Sequence, residues 1–499
     1  MSMKKMHGIL IIVFLLAFSH PGQARDGQPN ILFIAVDDLR PELGCYGNQV
    51  IHTPNIDKLA AEGSVFTNHF VQVPTCGASR FSLLTGMRPR KRSHLSNNVI
   101  IEELSGKPEG DRPETFVHHL RRNGYYTVGI GKISHSADGL VYGYNDPVSD
   151  IRELPHSWDE LLFDNGKWGT GWNAFFGYSD GENRQSMKKK VKPYEAGEVD
   201  DHGYPDGLTA DLAISRLREI RKMKQPFFLG VGFFKPHLPF NSPEKYWELY
   251  NRDSIPVSPN PDIPLNINLK SLHGSGEFNQ YQLSDEFASL DQSVSDEYAR
   301  KLIHAYYACV SYIDHQIGRL LEELESLGLA DNTIVVIWGD HGWHLGDQRV
   351  WGKHTIFENA LKSVLIISDP GKAEAESKVN TIVETVDIYP TIMELCGADV
   401  PYDMDGESFV KLMVGSENRE TEVPDDQAAY GYFRDGISLR TDRYRLTKYY
   451  REEEPVIELY DHKSDPHESI NIADQEPGIV NELMPLLEKG NTGLYEEKK

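Results

Sequence analysis

Residues 30–42 read Asn30-Ile31-Leu32-Phe33-Ile34-Ala35-Val36-Asp37-Asp38-Leu39-Arg40-Pro41-Glu42. From Ile31 to Val36 the run is apolar without alternation, which predicts a strand buried on both faces, as in a parallel sheet. Asp37 and Asp38 then stand at its C-terminal end, the edge at which open α/β sheets bind ligands. A polar turn is the plain alternative for two adjacent aspartates. Working outward, the same arrangement recurs three times. Tyr125 to Ile130 follows a helix predicted over Thr115 to Asn123 and delivers Gly131-Lys132-Ile133-Ser134-His135. Phe227 to Phe234 delivers Lys235-Pro236-His237, and Thr333 to Trp338 delivers Asp340-His341-Gly342. Strands that each end in titratable or metal-binding side chains would line one crevice if the sheet is parallel, which makes that crevice the expected active site. The fold class is therefore α/β, a large mostly parallel sheet flanked by helices.

A second stretch carries chemistry of its own. Pro74-Thr75-Cys76-Gly77-Ala78-Ser79-Arg80 continues into Phe81-Ser82-Leu83-Leu84-Thr85-Gly86-Met87-Arg88-Pro89. Polar residues, an apolar run, then Gly and soon Pro predict a short helix. Cys76 would sit at its N-terminus, where free N–H groups favour negative charge, and Arg80 one turn later on the same face. A cysteine simply buried in the core is the alternative. Asp37, Asp38 and Asp340 offer hard oxygen ligands, which suit Ca²⁺ or Mg²⁺ rather than Zn²⁺.

Cys76 to Arg80 with the trailing Leu84-Thr85-Gly86 resembles the signature of type I, formylglycine-dependent sulfatases, with Ala78 where that pattern usually has proline. The resemblance spans nearly all of residues 28–475 and lies closest to the iduronate-2-sulfatase branch. It is carried by Val36-Asp37-Asp38-Leu39-Arg40-Pro41, by Lys132 with His135, and by Lys235-Pro236-His237-Leu238-Pro239-Phe240. Asp340-His341-Gly342-Trp343 with Lys353, and the tail motifs Glu458-Leu459-Tyr460-Asp461 and Asp465-Pro466, complete it. The family likeness implies that Cys76 is oxidised to formylglycine, whose aldehyde hydrate is the nucleophile. It implies one divalent ion, Ca²⁺, held by Asp37, Asp38, Asp340 and His341 together with residue 76. Arg80, Lys132, His237 and Lys353 would hold the sulfate, His135 would accept the proton that releases it, and His237 or Lys353 would protonate the leaving alcohol. A formylglycine-generating or anaerobic sulfatase-maturating enzyme is an implied partner.

Residues 1–24 read as a signal peptide: Lys4 and Lys5, an apolar core from Ile9 to Phe18, then Pro21-Gly22-Gln23-Ala24. The mature protein is expected to be exported, periplasmic or secreted, with no membrane span. The remaining chain divides into a catalytic α/β domain over 25–424 and a C-terminal subdomain over 425–499. There, strands at Gly436–Arg440, Tyr444–Tyr449 and Val456–Asp461 precede a helix from about Gly478 to Lys489. A long amphipathic helix is read through Ile303, Tyr306, Val310, Ile313, Ile317, Leu320 and Leu324, a strand at Val364–Ser368 and a helix at Val386–Leu395. Segments 145–205 and 250–295, without clear periodicity, are expected to lie over the crevice mouth. Four cysteines are too few for a disulfide framework, and Cys45, Cys309 and Cys396 allow at most one bridge.

A net charge of −24 argues against nucleic acid and against anionic membranes. An anionic substrate then needs a local basic pocket, for which Arg88-Pro89-Arg90-Lys91-Arg92 is the candidate. The expected substrate is a sulfated oligo- or polysaccharide, attacked from its end. Alternatives from the same superfamily are a phosphate or phosphonate ester hydrolase and a choline sulfatase. An exported carbohydrate-binding protein with a dead site is the alternative from another class.

Overall fold

Asn30–Val36 (β1) forms where the apolar run predicts it and lies near the middle of an eight-stranded sheet. The computed structural model describes residues 27–371, 377–413, 427–452 and 454–495; the targeting segment read over residues 1–24 lies outside them. The other strands are Ser64–Phe66 (β2), Tyr126–Gly131 (β3), Glu160–Leu162 (β4), Phe227–Phe233 (β5), Thr333–Gly339 (β6), Leu365–Ser368 (β7) and Ser377–Val379 (β8). The order across the sheet is β8-β2-β7-β6-β1-β5-β3-β4. β6, β1, β5, β3 and β4 run parallel, β7 is antiparallel to both β6 and β2, and β8 is parallel to β2. Register decides the site. Val36 is level with Phe233 on one side and Gly339 on the other, and Gly131 with Gly232, so four strands release their chains at one edge.

Every residue of β1 is buried because both faces are covered. Leu32, Ile34 and Val36 share a core with helices Pro54–Ala61 (α1), Pro205–Ile220 (α4) and Asp296–Ser326 (α5). Ile31, Phe33 and Ala35 share the opposite core with Cys76–Thr85 (α2), Phe116–Arg122 (α3) and Ile388–Leu395 (α6). The period of two along the strand thus sends successive side chains into two helical layers. α5 matches the predicted amphipathic stripe and extends it by about two turns at its start. There the side chain of Ser295 caps it by accepting from the Tyr298 N–H.

The tail is the expected antiparallel sheet, with one strand more than predicted. Ala429–Phe433 (β9) pairs with Gly436–Arg440 (β10), followed by Tyr444–Tyr449 (β11), Val456–Asp461 (β12) and helix Pro477–Lys489 (α7). It docks through a buried ion network in which Arg440 and Arg445 meet Glu358, and Arg445 also meets Glu468. All four cysteines are free, so no bridge joins Cys45, Cys309 and Cys396. Among the described residues no helix is long and apolar enough to cross a membrane.

Candidate active site

Cys76 opens α2, and Gly86 closes it in the left-handed conformation its sequence requires (φ +64°). The helix starts close to its neighbours: the Gly77 N–H donates to Asn97 Oδ1 at 2.9 Å, and a Cβ on Gly77 would fall 2.4 Å from the Asn97 carbonyl oxygen. This seats the Cys76 side chain at the sheet edge, where Asp37, Cys76, Asp340 and His341 bring ligand atoms within 4.8 Å of one another. Sγ of Cys76 lies 3.2 Å from His341 Nε2 and 3.2 Å from Lys353 Nζ. Burial, followed by the Asp37 carboxylate, pushes its thiol up to about 12.

The carboxylates are held by cations and by backbone. Asp38 takes φ +59°, a left-handed conformation that Asp tolerates, and its N–H donates to Asp340 Oδ1 at 2.9 Å. Lys132 Nζ sits 2.9 Å from Asp37, and Arg80 lies 3.4 Å from the same side chain. Burial opposes ionisation of Asp37, but Lys132 and hydrogen bonding with Asp340 hold it well below the usual carboxylate range. Burial raises Asp38 well above that range against the pull of Lys353, whose Nζ stands 2.8 Å from Oδ1. Asp38 Oδ2 is buried with no hydrogen-bond donor.

Arg80 occupies a different place from the one expected. Its guanidinium is fully buried, bonds Asp340 through Nε at 3.0 Å and Nη2 at 2.9 Å, and donates to the carbonyls of Lys132 and Ile133. It clamps the carboxylates and the chain after β3 rather than facing a substrate. The Arg88–Arg92 cluster likewise lies away from the place expected for it. Arg88 pairs with Glu384, Arg90 with Asp405, Lys91 with Glu103 and Arg92 with Asp435, and none of them lines the cavity above Cys76. Acidic partners neutralise them, three of the four from distant parts of the chain.

That cavity, about 710 Å³, is walled by the two aperiodic segments as expected, through Asn145, Trp172, Phe176, His273 and Glu277, and by Tyr144 just before the first of them. His135 and His237 line it with Lys132 and Lys353. His135 packs on Trp172, its Nδ1 is buried without a partner, and burial followed by Lys132 holds its pKa well below the usual 6.5. His237 places Nδ1 2.6 Å from the Leu238 carbonyl, so Nδ1 carries a proton, and Nε2 3.1 Å from Glu277 Oε1. Burial, then Lys353, lowers His237 to about 4. Glu277, Arg184 and Trp172 were not singled out in the sequence. They lie in segments without periodicity, and only the fold brings them beside Cys76.

Buried carboxylates, a helix-start cysteine and converging Lys and His side chains suit the transfer of an anionic ester group. A sulfatase family model matches residues 29–398, about three quarters of the chain. This chain belongs to the sulfatase family. A second model, the C-terminal region of N-sulphoglucosamine sulphohydrolase, matches residues 339–491, overlapping the last site loops and the tail sheet. The chain is 30% identical over 478 residues to a sulfatase of Formosa agariphila, covering 93% of this chain and 87% of the relative. To the iduronate 2-sulfatase of Homo sapiens it is 31% identical over 408 residues, covering 74% and 70%. Among solved structures, a protein in complex with its substrate D-glucosamine-2-N,6-O-disulfate superposes with a TM-score of 0.68 at 24% identity, covering 93% and 98%. The sulfatase is thus a sulfuric ester hydrolase on the expected α/β fold.

Proposed function

We propose that this sulfatase is an exported enzyme that removes sulfate esters from the ends of sulfated, uronic-acid-containing carbohydrates. The observation that carries the reading is the basic cavity above Cys76 in a strongly acidic chain. Lys132, Lys353, Arg184, Lys189 and Arg434 line it, with Glu277 the one acidic residue among the described residues that line it. Its volume is that of a small-molecule site, which favours action at a chain end. Its charge disfavours the quaternary ammonium of choline sulfate. The iduronate relatives and the apolar leader after Lys4 and Lys5 support the sugar class and the export.

One divalent cation, Ca²⁺, fits the site. Asp37, Asp340 and His341 cluster with Cys76, and Asp38 clusters with Cys76 and His237. Asp37, Asp38, Asp340 and His341 would hold the ion with the residue 76 side chain, and Asp38 Oδ2, buried without a hydrogen-bond donor, is an acceptor in need of a positive partner. Bound, it would neutralise sulfate oxygens. In this reading a maturating enzyme converts Cys76 to formylglycine, which supplies the nucleophilic hydroxyl. The chain's own residues do the rest. Lys132 and Lys353 flank the sulfate position, and Arg80 keeps Asp37 and Asp340 oriented. His237, with Nε2 beside Glu277, and Lys353 both line the cavity where the leaving alcohol would sit, so a protonated His237 or the Lys353 ammonium would donate to it, and the unpartnered ring nitrogen of His135 can accept a proton.

The test is a panel of sulfated disaccharides alongside choline sulfate and an aryl phosphonate, each with and without chelator. The expected result is turnover of a sulfated uronate, lost on metal removal and restored by Ca²⁺. Preference for choline sulfate or phosphonate, or full activity after metal removal, contradicts the reading.

A further inference from the structure

The cavity holds a cation that the reaction as described does not use. Arg184 is only 4% exposed, yet no described carboxylate forms an ion pair with it, and its Nε is buried without an acceptor. Its guanidinium instead lies 3.6 Å from the ring centre of Phe176 and 5.5 Å from that of Tyr281. A buried charge without a counter-ion costs several kcal/mol in general. Stacking on an aromatic face recovers only part of that cost. Elsewhere in the molecule the buried arginines Arg40, Arg80 and Arg445 each meet carboxylates. Arg184 is held open.

Its position says what for. Phe176, on which it stacks, has its other neighbours in the site: the His237 ring at 6.4 Å and the Tyr144 ring at 5.4 Å. One phenyl ring therefore separates the guanidinium from the imidazole that faces the scissile ester. Lys189 and Arg434, both exposed, line the same cavity.

We propose that Arg184 is the receptor for a second anionic group on the substrate, a carboxylate or a further sulfate, and so decides which sulfate esters are accepted. Its planar fork can take either group through two parallel hydrogen bonds, and in a low-dielectric wall such charge-assisted bonds discriminate strongly. This rests on the carbohydrate reading above and replaces the Arg88–Arg92 cluster as the seat of anion recognition.

The experiment compares wild type, Arg184→Gln and Arg184→Lys on two matched pairs. One is a sulfated uronate disaccharide with its carboxylate free or methyl-esterified. The other is glucosamine 6-O-sulfate with or without a 2-N-sulfate. Each compound is assayed as substrate and as inhibitor of 4-nitrophenyl sulfate hydrolysis. Wild type should favour the free second anion in one pair, and the pair identifies which anion. Arg184→Gln should cut kcat/KM for that dianionic member about 20-fold more than for its monoanionic partner, the size expected for losing charge-assisted hydrogen bonds. Arg184→Lys should restore part of the preference. Equal losses on both members, or a preference that survives Arg184→Gln, would overturn the role of Arg184 alone. If wild type hydrolyses 4-nitrophenyl sulfate but neither turns over nor is inhibited by any sugar, the carbohydrate reading falls, and the proposal with it.

Discussion

At the scale of single residues the site is a set of buried charges that are mutually satisfied except where a ligand is due. Arg80 shows how a correct spacing can mislead. Four residues after Cys76 it lies on the same helix face, yet its side chain turns to Asp340, Asp37 and the carbonyls following β3. Spacing fixes a face; only the neighbouring strands fix what the side chain meets. Arg80→Lys should therefore act as a structural lesion in the carboxylate cluster, because an ammonium cannot reproduce the fork. Stability should fall by about 3 kcal/mol, as when a buried ion pair loses a partner, with weakened binding of a divalent cation. Denaturant melts and calorimetry would check this. Wild-type stability with only a raised KM would instead make Arg80 a substrate ligand.

At the scale of elements, the strands around β1 were readable because burial on both faces leaves an unbroken apolar run, and their register brings Asp37, Lys132, His237 and Asp340 to one edge. β9 was missed because Ala429-Tyr430-Gly431-Tyr432-Phe433 mixes glycine with aromatics and has no clean period. The pocket walls were placed only as regions, since residues such as Arg184 and Glu277 sit on loops whose course depends on the strands beneath. The close approach of β3 and β5 has a price in sequence: a Cβ on Gly232 would fall 2.2 Å from the Lys132 carbonyl carbon. Gly232→Ala should push the Lys132 backbone away from Asp37. We expect kcat/KM to drop more than tenfold with a stability loss of about 2 kcal/mol, typical of overpacking. Steady-state kinetics and thermal melts on one preparation would read both, and wild-type kinetics would refute the register argument.

At the scale of the whole molecule, burial of neutral histidines makes the fold acid-sensitive. His69 is fully buried, lies 3.2 Å from the Ser363 carbonyl and 2.9 Å from Thr385 Oγ1, and burial lowers its pKa to about 3. An unfolded histidine titrates near 6.5, so below that pH the unfolded chain binds a proton that the folded one refuses. Its contribution is present above pH 6.5 and is lost as pH falls toward 3, reaching about 2 kcal/mol of destabilisation at pH 5. His69→Gln should flatten part of the slope of stability between pH 6.5 and 5 in denaturant titrations; an unchanged slope would refute the assignment. The same long-range organisation separates overall charge from local charge. A chain of net charge −24 keeps a basic cavity because its surface arginines near α2 are already paired with acids, while Arg184 and Lys353 face inward.

Cys76, seated among Asp37, Asp340 and His341 at the start of α2, is proposed as the precursor of the nucleophile. Peptide mass spectrometry across residues 71–88 of active enzyme tests it most directly. An aldehyde in place of the thiol is expected, in a fraction that tracks specific activity between preparations. Full activity in protein whose Cys76 is entirely unmodified would contradict it.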